Sequence, residues 1–445
     1  MSAAAPLAAA VAAPPVAVTG SPMPSAAPSV PAAAALPAPG VPSGPLLPGP
    51  DSATGRPVTL GVMGGGQLGR MFVHAAQRMG YDTAVLEPDL LSPAGLVSHQ
   101  HFELPYDDAD GLTELAQACD AITTEFENVP ASALQRLAAE RPVAPGAAAV
   151  ALAQNRIAEK AHFTACAAQS GVACAPYAVI ESAAQLAAVP ADLLPGILKT
   201  ARMGYDGKGQ LRVSDAAALQ AAWAELKQVP CVLEQHLPLR AEYSVVLARG
   251  WDGASVCFWP QRNVHVGGIL AVTHAYQSNM PAAQAERAQA ATQFIATELA
   301  YVGVLCVEFF VVDDGSPLGR LVVNEMAPRP HNSGHYTIDA CDVSQFDLQV
   351  CALAGLPLPA PRQHSPAIML NLLGDLWFDA AGQSRTPNWA AVLAMPGVHL
   401  HLYGKPEARL GRKMGHLTIT GASVAAVQAV AAQVVARLGL PGLDD

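Results

Sequence analysis

The sequence lacks several features that would each point to a particular class of protein. Gly and Pro divide its apolar stretches into short pieces, so no run is long enough for a membrane span although 51% of its 445 residues are hydrophobic. Basic residues are not in excess, since 25 Lys and Arg stand against 36 Asp and Glu, giving a formal net charge of −11. That charge argues against nonspecific nucleic-acid binding but allows a local basic pocket for a small phosphorylated ligand. We expect a soluble protein that binds neither membranes nor nucleic acid.

The eight cysteines form no C-x-x-C pair, the spacing typical of zinc and redox sites. Most of them lie inside apolar runs, which is typical of buried thiols in a reducing compartment. We therefore expect free, buried thiols and a cytoplasmic location.

The first 50 residues lack charged side chains altogether and are rich in Ala and Pro. Proline at this density prevents helices and sheet ladders, so we expect a disordered tail over residues 1–55 that the chemistry does not need. A secretory signal would begin with basic residues and a mitochondrial presequence would contain arginines, and this stretch has neither.

A G-x-G-x-x-G motif, at Gly64, Gly66 and Gly69, follows the first apolar strand. With an acid, Glu87, after the next apolar run, this pattern is typical of dinucleotide-binding folds. The same glycines also serve a tight strand-to-helix turn and close helix packing, whether or not a ligand is bound. The alternation of short strands and helices that follows predicts a small parallel sheet.

Two features in the middle of the chain are compatible with phosphate binding. Arg156 and Lys160 lie one turn apart on a predicted helix, although two cations at this spacing usually mark a solvated face. The loop "GYDGKGQ" over Gly204–Gln210 offers backbone N–H groups that suit phosphate. It is not a Walker A loop, because Gly209 replaces the required Ser or Thr, and a plain turn is the alternative.

Two strongly apolar segments each carry a lone carboxylate, Glu308 and Glu325, on either side of a turn rich in Asp, Gly and Pro. Counting outward from the centre of the turn brings the two to facing positions on a hairpin. Ionised carboxylates among apolar neighbours are costly unless a partner compensates. Mg2+ holding a nucleotide's phosphates would do so, with Asn324 alongside; alternatively, one glutamate pairs with an arginine such as Arg329.

Four basic residues crowd into nine positions near the C-terminus of this acidic chain: Lys405, Arg409, Arg412 and Lys413. Such a loop is often merely exposed, but its neighbouring glycines also suit a phosphate site.

The segments described above, taken in their order along the chain, resemble the ATP-grasp superfamily. Within it they resemble the 5-(carboxyamino)imidazole ribonucleotide synthases, which are ATP-dependent carboxylases of purine biosynthesis. The resemblance runs from about Val58 to Gly439 on the blocks "GGGQLGRM", "TTEFENVP", "GYDGKGQ", "NEMAPRPHNSGH", "VSQFDLQ" and "GRKMGHL". It implies an ATP-grasp fold of α/β and α+β type. Its parts would be a Rossmann-like (pre-ATP-grasp) N-terminal domain at 56–155, an ATP-grasp domain at 156–356 and a small α+β C-terminal domain at 357–445.

The resemblance also implies roles for individual residues. The phosphate, lid, hinge and ribose contacts to ATP would come from Arg156, Lys199, Gly204, Tyr205, Asp206, Gly207, Lys208, Gly209, Gln210, Glu234, Gln235, His236, Leu237, Glu242, His265, Asn324 and Glu325. Mg2+ would be held by Glu308 and Glu325. Bicarbonate and the incoming amine would be held by the loop residues Arg329, His331, Asn332, Ser333 and His335. The ribonucleotide would be bound by Gln67, Lys405, Arg412 and Lys413.

The implied reaction is carboxylation of 5-aminoimidazole ribonucleotide by bicarbonate and ATP through carboxyphosphate. The resemblance also implies a homodimer, and it implies that the Gly64–Gly69 turn is a structural scaffold.

An NAD-linked oxidoreductase is an alternative function, but it leaves the carboxylate pair and the lid unexplained. A nucleotide-binding module without turnover is another, although the lid lysine and both carboxylates are present. A different ATP-grasp ligase would differ in its acceptor. The H-x-x-x-H of His331 and His335 could indicate zinc, but no third ligand is in view.

Overall fold

The computed structural model describes residues 42, 44–52, 54–204 and 209–444. This part of the chain contains a parallel sheet of four strands, an antiparallel sheet of four strands and a larger sheet of nine strands. The combination confirms the expected α/β and α+β class.

The first sheet is parallel and has the strand order β3-β2-β1-β4. Its strands are β1 (Thr59–Met63), β2 (Asp82–Leu86), β3 (Gln100–Phe102) and β4 (Ala121–Thr124). The helices of this region are α1 (Gln67–Arg78), α2 (Ala109–Ala118), α3 (Ala131–Leu137) and α4 (Ala147–Ala153). Every residue of β1 is buried, as a central strand of a parallel sheet requires. The predicted alternation of strands and helices is therefore present.

The second sheet is antiparallel and has the order β5-β8-β6-β7. Its strands are β5 (Tyr177–Ile180), β6 (Gly196–Thr200), β7 (Gln210–Val213) and β8 (Cys231–Gln235). The helices are α5 (Arg156–Ser170), α6 (Ala183–Ala187) and α7 (Ala216–Glu225). Helix α5 begins at Arg156 because the Asn155 side chain caps it, accepting from the amide of Ile157.

The third sheet follows the order β14-β13-β9-β11-β12-β15-β17-β16, with β10 paired to β9. Its strands are β9 (Leu239–Arg249), β10 (Ser255–Cys257), β11 (Gln261–Val266), β12 (Ile269–Ala275), β13 (Gly303–Val312), β14 (Arg320–Ala327), β15 (Ala367–Leu373), β16 (Val398–Leu402) and β17 (Lys413–Thr420). The helices are α8 (Ala282–Glu298), α9 (Thr337–Ala340), α10 (Gln345–Ala354), α11 (Trp389–Leu393) and α12 (Val424–Leu438). Short 3-10 helices occupy Gly95–Val97, Ala191–Leu193, Gln277–Asn279, Asn332–Gly334 and Gly374–Trp377.

The third sheet continues across the boundary that the sequence suggested at residue 357. Strand β12 pairs with β15, placing Thr273 opposite Met369. The C-terminal strands therefore extend the same sheet as the carboxylate hairpin, β13 and β14.

The predicted disordered tail was extended too far toward residue 55. The amide of Leu46 donates to the carbonyl of Ala354 over 2.8 Å, and Tyr81 Oη donates to the carbonyl of Leu46 over 2.6 Å. The amide of Gly49 also donates to the carbonyl of Gly80. Residues 44–52 thus join the start of the parallel sheet to the end of α10.

The cysteine prediction is confirmed for all eight residues, each of which the structure describes. All are free thiols, and all but the partly buried Cys257 are buried. Among the described residues, none of the helices combines the length and the hydrophobicity needed to cross a bilayer.

Candidate active site

The glycine turn binds carboxylates of the protein itself. The amides of Gly66 and Gly69 donate to the two oxygens of Glu125 over 3.0 and 3.1 Å, and the amide of Gly65 donates to Glu87 over 2.8 Å. A Cβ atom at Gly66 would lie 2.5 Å from Glu125 Oε1, so glycine is needed for this approach. The amides that would bind a pyrophosphate at the start of α1 are therefore engaged. This favours the scaffold interpretation over the dinucleotide one.

Glu127, just beyond Glu125, forms an ion pair with Arg329 of the loop that follows β14. Burial alone would raise the pKa of Glu127, but the adjacent Arg329 guanidinium holds it below its ordinary value. The Glu127 carbonyl also accepts from Gln154 Nε2 over 2.6 Å. The predicted bicarbonate-binding arginine is thus held in place by the N-terminal part of the chain.

Three cations gather around Glu234 and Glu325. Lys199 Nζ lies 2.9 Å and Lys160 Nζ 3.2 Å from the Glu234 carboxylate, and Arg156 Nη1 lies 3.2 Å from Glu325 Oε2. Burial opposes ionisation of Glu234, but Lys199 and then Lys160 lower its pKa to about 2. The Glu234 carboxylate is a counter-ion here and is not free to bind a base.

The solvated-face interpretation of Lys160 is wrong. Its side chain is 0% exposed, and Nζ donates to the carbonyl of Asn324 over 2.9 Å, so it joins α5 to the carboxylate hairpin. Its neighbour Glu159 accepts from the amide of Met326 over 2.8 Å. Sequence reasoning did not include Lys160 in the predicted site, because two cations one turn apart on a helix usually mark a solvated face.

The predicted adenine hinge begins with the last two residues of β8, Glu234 and Gln235, and continues to Leu237. The amide of Gln235 donates to the carbonyl of Pro176, and that of His236 donates to the carbonyl of Pro195, so these two donors are engaged within the protein. Leu237 packs in the small apolar cluster with Ala175.

Glu242, predicted to bind the ribose, and His265, predicted to contact the nucleotide, lie on the adjacent strands β9 and β11 of the nine-stranded sheet. Glu242 Oε2 lies 2.8 Å from His265 Nδ1. Burial would lower the pKa of His265, but the Glu242 carboxylate raises it. The structure therefore brings these two predicted residues together.

The predicted lid is described only at its ends. Gly204, Gly209 and Gln210 are among the described residues, whereas Tyr205, Asp206, Gly207 and Lys208 lie outside them. Gln210 begins β7 and pairs with Lys199 of β6, so one end of the loop starts beside the phosphate-binding candidate Lys199.

Glu308 and Glu325 approach each other at an irregularity in the hairpin. Val307 pairs with Met326, but Phe309 pairs with Val323, so Glu308 lies opposite both Asn324 and Glu325. Burial and the neighbouring Glu325 raise the pKa of Glu308. Burial would also raise the pKa of Glu325, but Arg156 lowers it. Although 42% of the Glu325 side-chain surface is exposed, this charge environment shows that it lies among the site cations.

The residues present fit a magnesium ion. The side-chain oxygen of Asn324 is buried and has no hydrogen-bond partner within the described ranges, as expected of an oxygen whose partner is a bound cation. In the described part of the chain, no group of three or more His, Cys, Asp or Glu side chains is arranged to hold a metal. Mg2+ is usually bound by one or two carboxylates and keeps water and phosphate oxygens as its other ligands, so the Glu308–Glu325 pair suffices.

The loop after β14 presents some of its predicted residues to the site and buries others. His331 Nε2 lies 3.2 Å from Glu308 Oε1. Asn332 is 8% exposed, and neither polar atom of its side chain has a partner among the described residues. Ser333 and His335 are buried, and His335 bonds to Gln345 and packs on His416 at 4.9 Å between ring centroids. The predicted direct role of His335 is therefore revised to support of the loop.

The basic residues near the C-terminus lie beside this loop. Lys413 begins β17, whose His416 packs on His335 of the loop, and its charge, after burial and Arg329, contributes to lowering the pKa of His331. Lys405 Nζ donates to the carbonyl of Lys413 over 2.7 Å. Arg412 is more peripheral, with Nη1 donating to the carbonyl of Glu407. Gln67, also predicted to meet the ribonucleotide, is the half-buried first residue of α1.

Three family models match successive parts of the chain. A ribonucleotide synthetase preATP-grasp domain matches residues 58–154, and an ATP-grasp domain matches residues 165–346. A phosphoribosylaminoimidazole carboxylase C-terminal domain matches residues 367–430.

Relatives of known name match nearly their whole length. The N5-carboxyaminoimidazole ribonucleotide synthase of Brucella melitensis is 44% identical over 367 residues, which are 81% of this chain and 95% of that protein. The chain belongs to the N5-carboxyaminoimidazole ribonucleotide synthase family. The synthase of Bacillus subtilis is 38% identical over 365 residues, covering 81% of this chain and 90% of that protein.

Solved structures of synthases share the fold. An N5-carboxyaminoimidazole ribonucleotide synthetase in complex with ADP is 35% identical and has a TM-score of 0.78, over 88% of this chain and 98% of that chain. The Aspergillus clavatus synthase in complex with ADP and 5-aminoimidazole ribonucleotide is 30% identical and has a TM-score of 0.75, over 86% and 98%.

Proposed function

We propose that this protein uses ATP and bicarbonate to carboxylate the exocyclic amine of 5-aminoimidazole ribonucleotide, releasing ADP and phosphate. One observation carries the proposal beyond family membership. Glu325 of the carboxylate hairpin contacts Arg156, and Glu308 of the same hairpin contacts His331, each at 3.2 Å. The nucleotide-binding cations and the acceptor loop therefore meet at a single pair of carboxylates.

In the first step, a bicarbonate oxygen bonds to the γ-phosphorus of ATP while the bond from that phosphorus to ADP breaks, giving carboxyphosphate. An anion must approach a polyanion, so the main requirement is neutralisation of charge. Arg156 and Lys199 supply it from fixed positions. Glu308 and Glu325, with Asn324 beside them, would hold Mg2+, whose chemistry here is to screen the phosphate oxygens.

In the second step, the amine nitrogen bonds to the carboxyl carbon, the carbon–oxygen bond to phosphate breaks, and the amine gives up a proton. Transfer through released CO2 forms the same product. The loop side chains that support this step are the guanidinium of Arg329, the His331 N–H group and the unpaired amide of Asn332. Lys413 beside them and Lys405 and Arg412 farther out would bind the ribonucleotide phosphate.

The test is ADP release from ATP, Mg2+ and bicarbonate, measured with and without 5-aminoimidazole ribonucleotide. We expect strong stimulation by the ribonucleotide and formation of its N-carboxylated product. ADP release without stimulation would indicate another acceptor, and no release under any condition would favour a binding module without turnover. We also propose a homodimer in the cytoplasm, to be checked by light scattering and fractionation.

A further inference from the structure

A chain of hydrogen bonds crosses the nine-stranded sheet and ends at His331. Thr273 on β12 donates to Asn263 Oδ1 on β11 over 3.1 Å, and Asn263 Nδ2 donates to Ser244 Oγ on β9 over 2.9 Å. Ser244 then donates to Ser333 Oγ over 2.7 Å, in the loop after β14. Ser333 Oγ lies 2.9 Å from His331 Nδ1.

The amide of Asn263 sets the direction of this chain, because its nitrogen only donates and its oxygen only accepts. The Ser244 oxygen accepts from Asn263, so its own hydrogen is directed onward. Ser333 is the nearer acceptor, since Gln261 Oε1 lies 3.3 Å away. The Ser333 hydroxyl still has its own hydrogen to donate to His331 Nδ1, and the Ser333 amide N–H, which can only donate, also points to Nδ1 over 3.4 Å. The hydrogen of neutral His331 is therefore on Nε2.

We propose that Ser244 is a positioning residue for the carboxylation: its hydroxyl, oriented by Asn263, keeps the lone pair of His331 on Nδ1 and the hydrogen on Nε2. Nε2 is the ring atom that faces the carboxylate hairpin. His331 then serves as a fixed N–H donor to an oxygen of bicarbonate or carboxyphosphate. This inference rests on the proposed function, because it assigns a role within that reaction.

The surroundings of the chain favour a single arrangement. Ser244, Thr273 and Ser333 are all fully buried, so water has little access to replace a lost hydrogen bond. The sheet register places Asn263 opposite Thr273, and Ser244 opposite Glu308. The pairing of the strands therefore aligns the chain with the carboxylate hairpin.

The kinetic test compares Ser244→Ala with Thr273→Val. Both remove one fully buried hydroxyl from the same network, but Thr273→Val leaves in place the bond from Asn263 to Ser244 and the bond from Ser244 to Ser333. We expect Ser244→Ala to lower kcat for ribonucleotide-dependent ADP release roughly 10- to 100-fold, the usual scale for losing a group that orients a functional histidine. The KM for ATP should not change. Thr273→Val should remain close to wild type, and equal losses in both variants would overturn the proposal.

The tautomer is measured separately by 15N NMR of the wild-type protein with labelled histidines, the His331 signals being identified by their loss in His331→Gln. We expect a hydrogen on Nε2 and none on Nδ1. The opposite tautomer overturns the proposal even if Ser244→Ala fails to fold. So does a folded Ser244→Ala variant with unchanged kcat and tautomer. Absence of ribonucleotide-dependent turnover in the wild type would instead reject the proposed function.

Discussion

Arg156 and Glu325 come from helix α5 and strand β14 and meet at 3.2 Å between Nη1 and Oε2. The contact places the Arg156 guanidinium beside one of the two carboxylates assigned to the metal. Arg156 lowers the pKa of Glu325 against the effect of burial, so Glu325 is ionised at neutral pH. An ionised carboxylate is a ligand that Mg2+ binds together with nucleotide phosphates.

Glu325→Gln is therefore expected to abolish ADP formation and leave the fold intact, because it removes one negative charge with almost no change in volume. ADP release and circular dichroism measure the two effects. Glu286→Gln, at an exposed position on α8, is the matched control and should behave as wild type. Near-normal turnover of Glu325→Gln would contradict the metal assignment.

Arg412→Ala is expected to raise the KM for the ribonucleotide without changing ATP binding, because the guanidinium is assigned to the ribonucleotide phosphate. Arg409→Ala is the control on the same loop, since Arg409 pairs with Glu407 at 2.8 Å and has no assigned ligand. The measurement is ribonucleotide titration of ADP release at saturating ATP. If the two variants give the same KM, Arg412 has no specific role.

Glu234→Gln is expected to destabilise the protein by about 3–5 kcal/mol, because it leaves two buried ammonium groups without their carboxylate. The pKa of Glu234 is lowered to about 2, so its stabilisation is complete above pH ~5 and is lost as the pH falls toward 2. Burial lowers the pKa of Lys199 even though Glu234 raises it, which shows that burying this ammonium group costs free energy. The net stabilisation by the ion pair of Glu234 and Lys199 is correspondingly smaller.

Urea unfolding of wild type and Glu234→Gln between pH 7 and pH 3 measures this difference. The gap in the free energy of unfolding should be constant down to pH ~5 and then shrink by up to about 1.4 kcal/mol per pH unit. Glu181→Gln, an exposed change in the same region, should show no such dependence. A gap that widens in acid would contradict the assigned pairing.

Removal of residues 1–50 is expected to lower the melting temperature relative to removal of residues 1–43. Only the longer deletion breaks the bonds that Leu46 makes with Ala354 and Tyr81, each worth about 1 kcal/mol. Differential scanning calorimetry compares the melting temperatures of the two proteins. In the protein that keeps residues 44–50, Leu46→Ala separates the effect of side-chain packing from that of the backbone contacts. Identical melting temperatures would show that residues 44–50 add no stability.

The sequence predicted the sheets and the carboxylate pair because both depend on local pattern. The apolar flanks of Glu308 and Glu325 predicted their hairpin, but not the shifted pairing that sets Glu308 opposite two residues. Such an irregularity depends on neighbouring strands, which a one-dimensional pattern does not contain.

The buried polar contacts were harder to predict. Lys160 was interpreted from its spacing to Arg156, whereas its burial depends on the ion pair with Glu234, 74 positions away in the chain. His335 was grouped with the substrate loop by sequence proximity, but its ring packs inward on His416. Ser244 and Asn263 were not singled out; their only signal is a polar side chain within strands that are otherwise largely buried.

The glycine turn has a consequence for ligand competition. Glu125 reaches the turn from a position 59 residues beyond Gly66, and a tethered carboxylate competes with free anions at an effective concentration on the order of millimolar or higher. A free phosphate group would have to expel a carboxylate that is already desolvated. Glu125 thus occupies the anion-binding position of this turn itself. The occupied turn also holds the end of β4, beyond which Glu127 forms its ion pair with Arg329. The ligand of a glycine motif is decided here by a distant acid and not by the glycines.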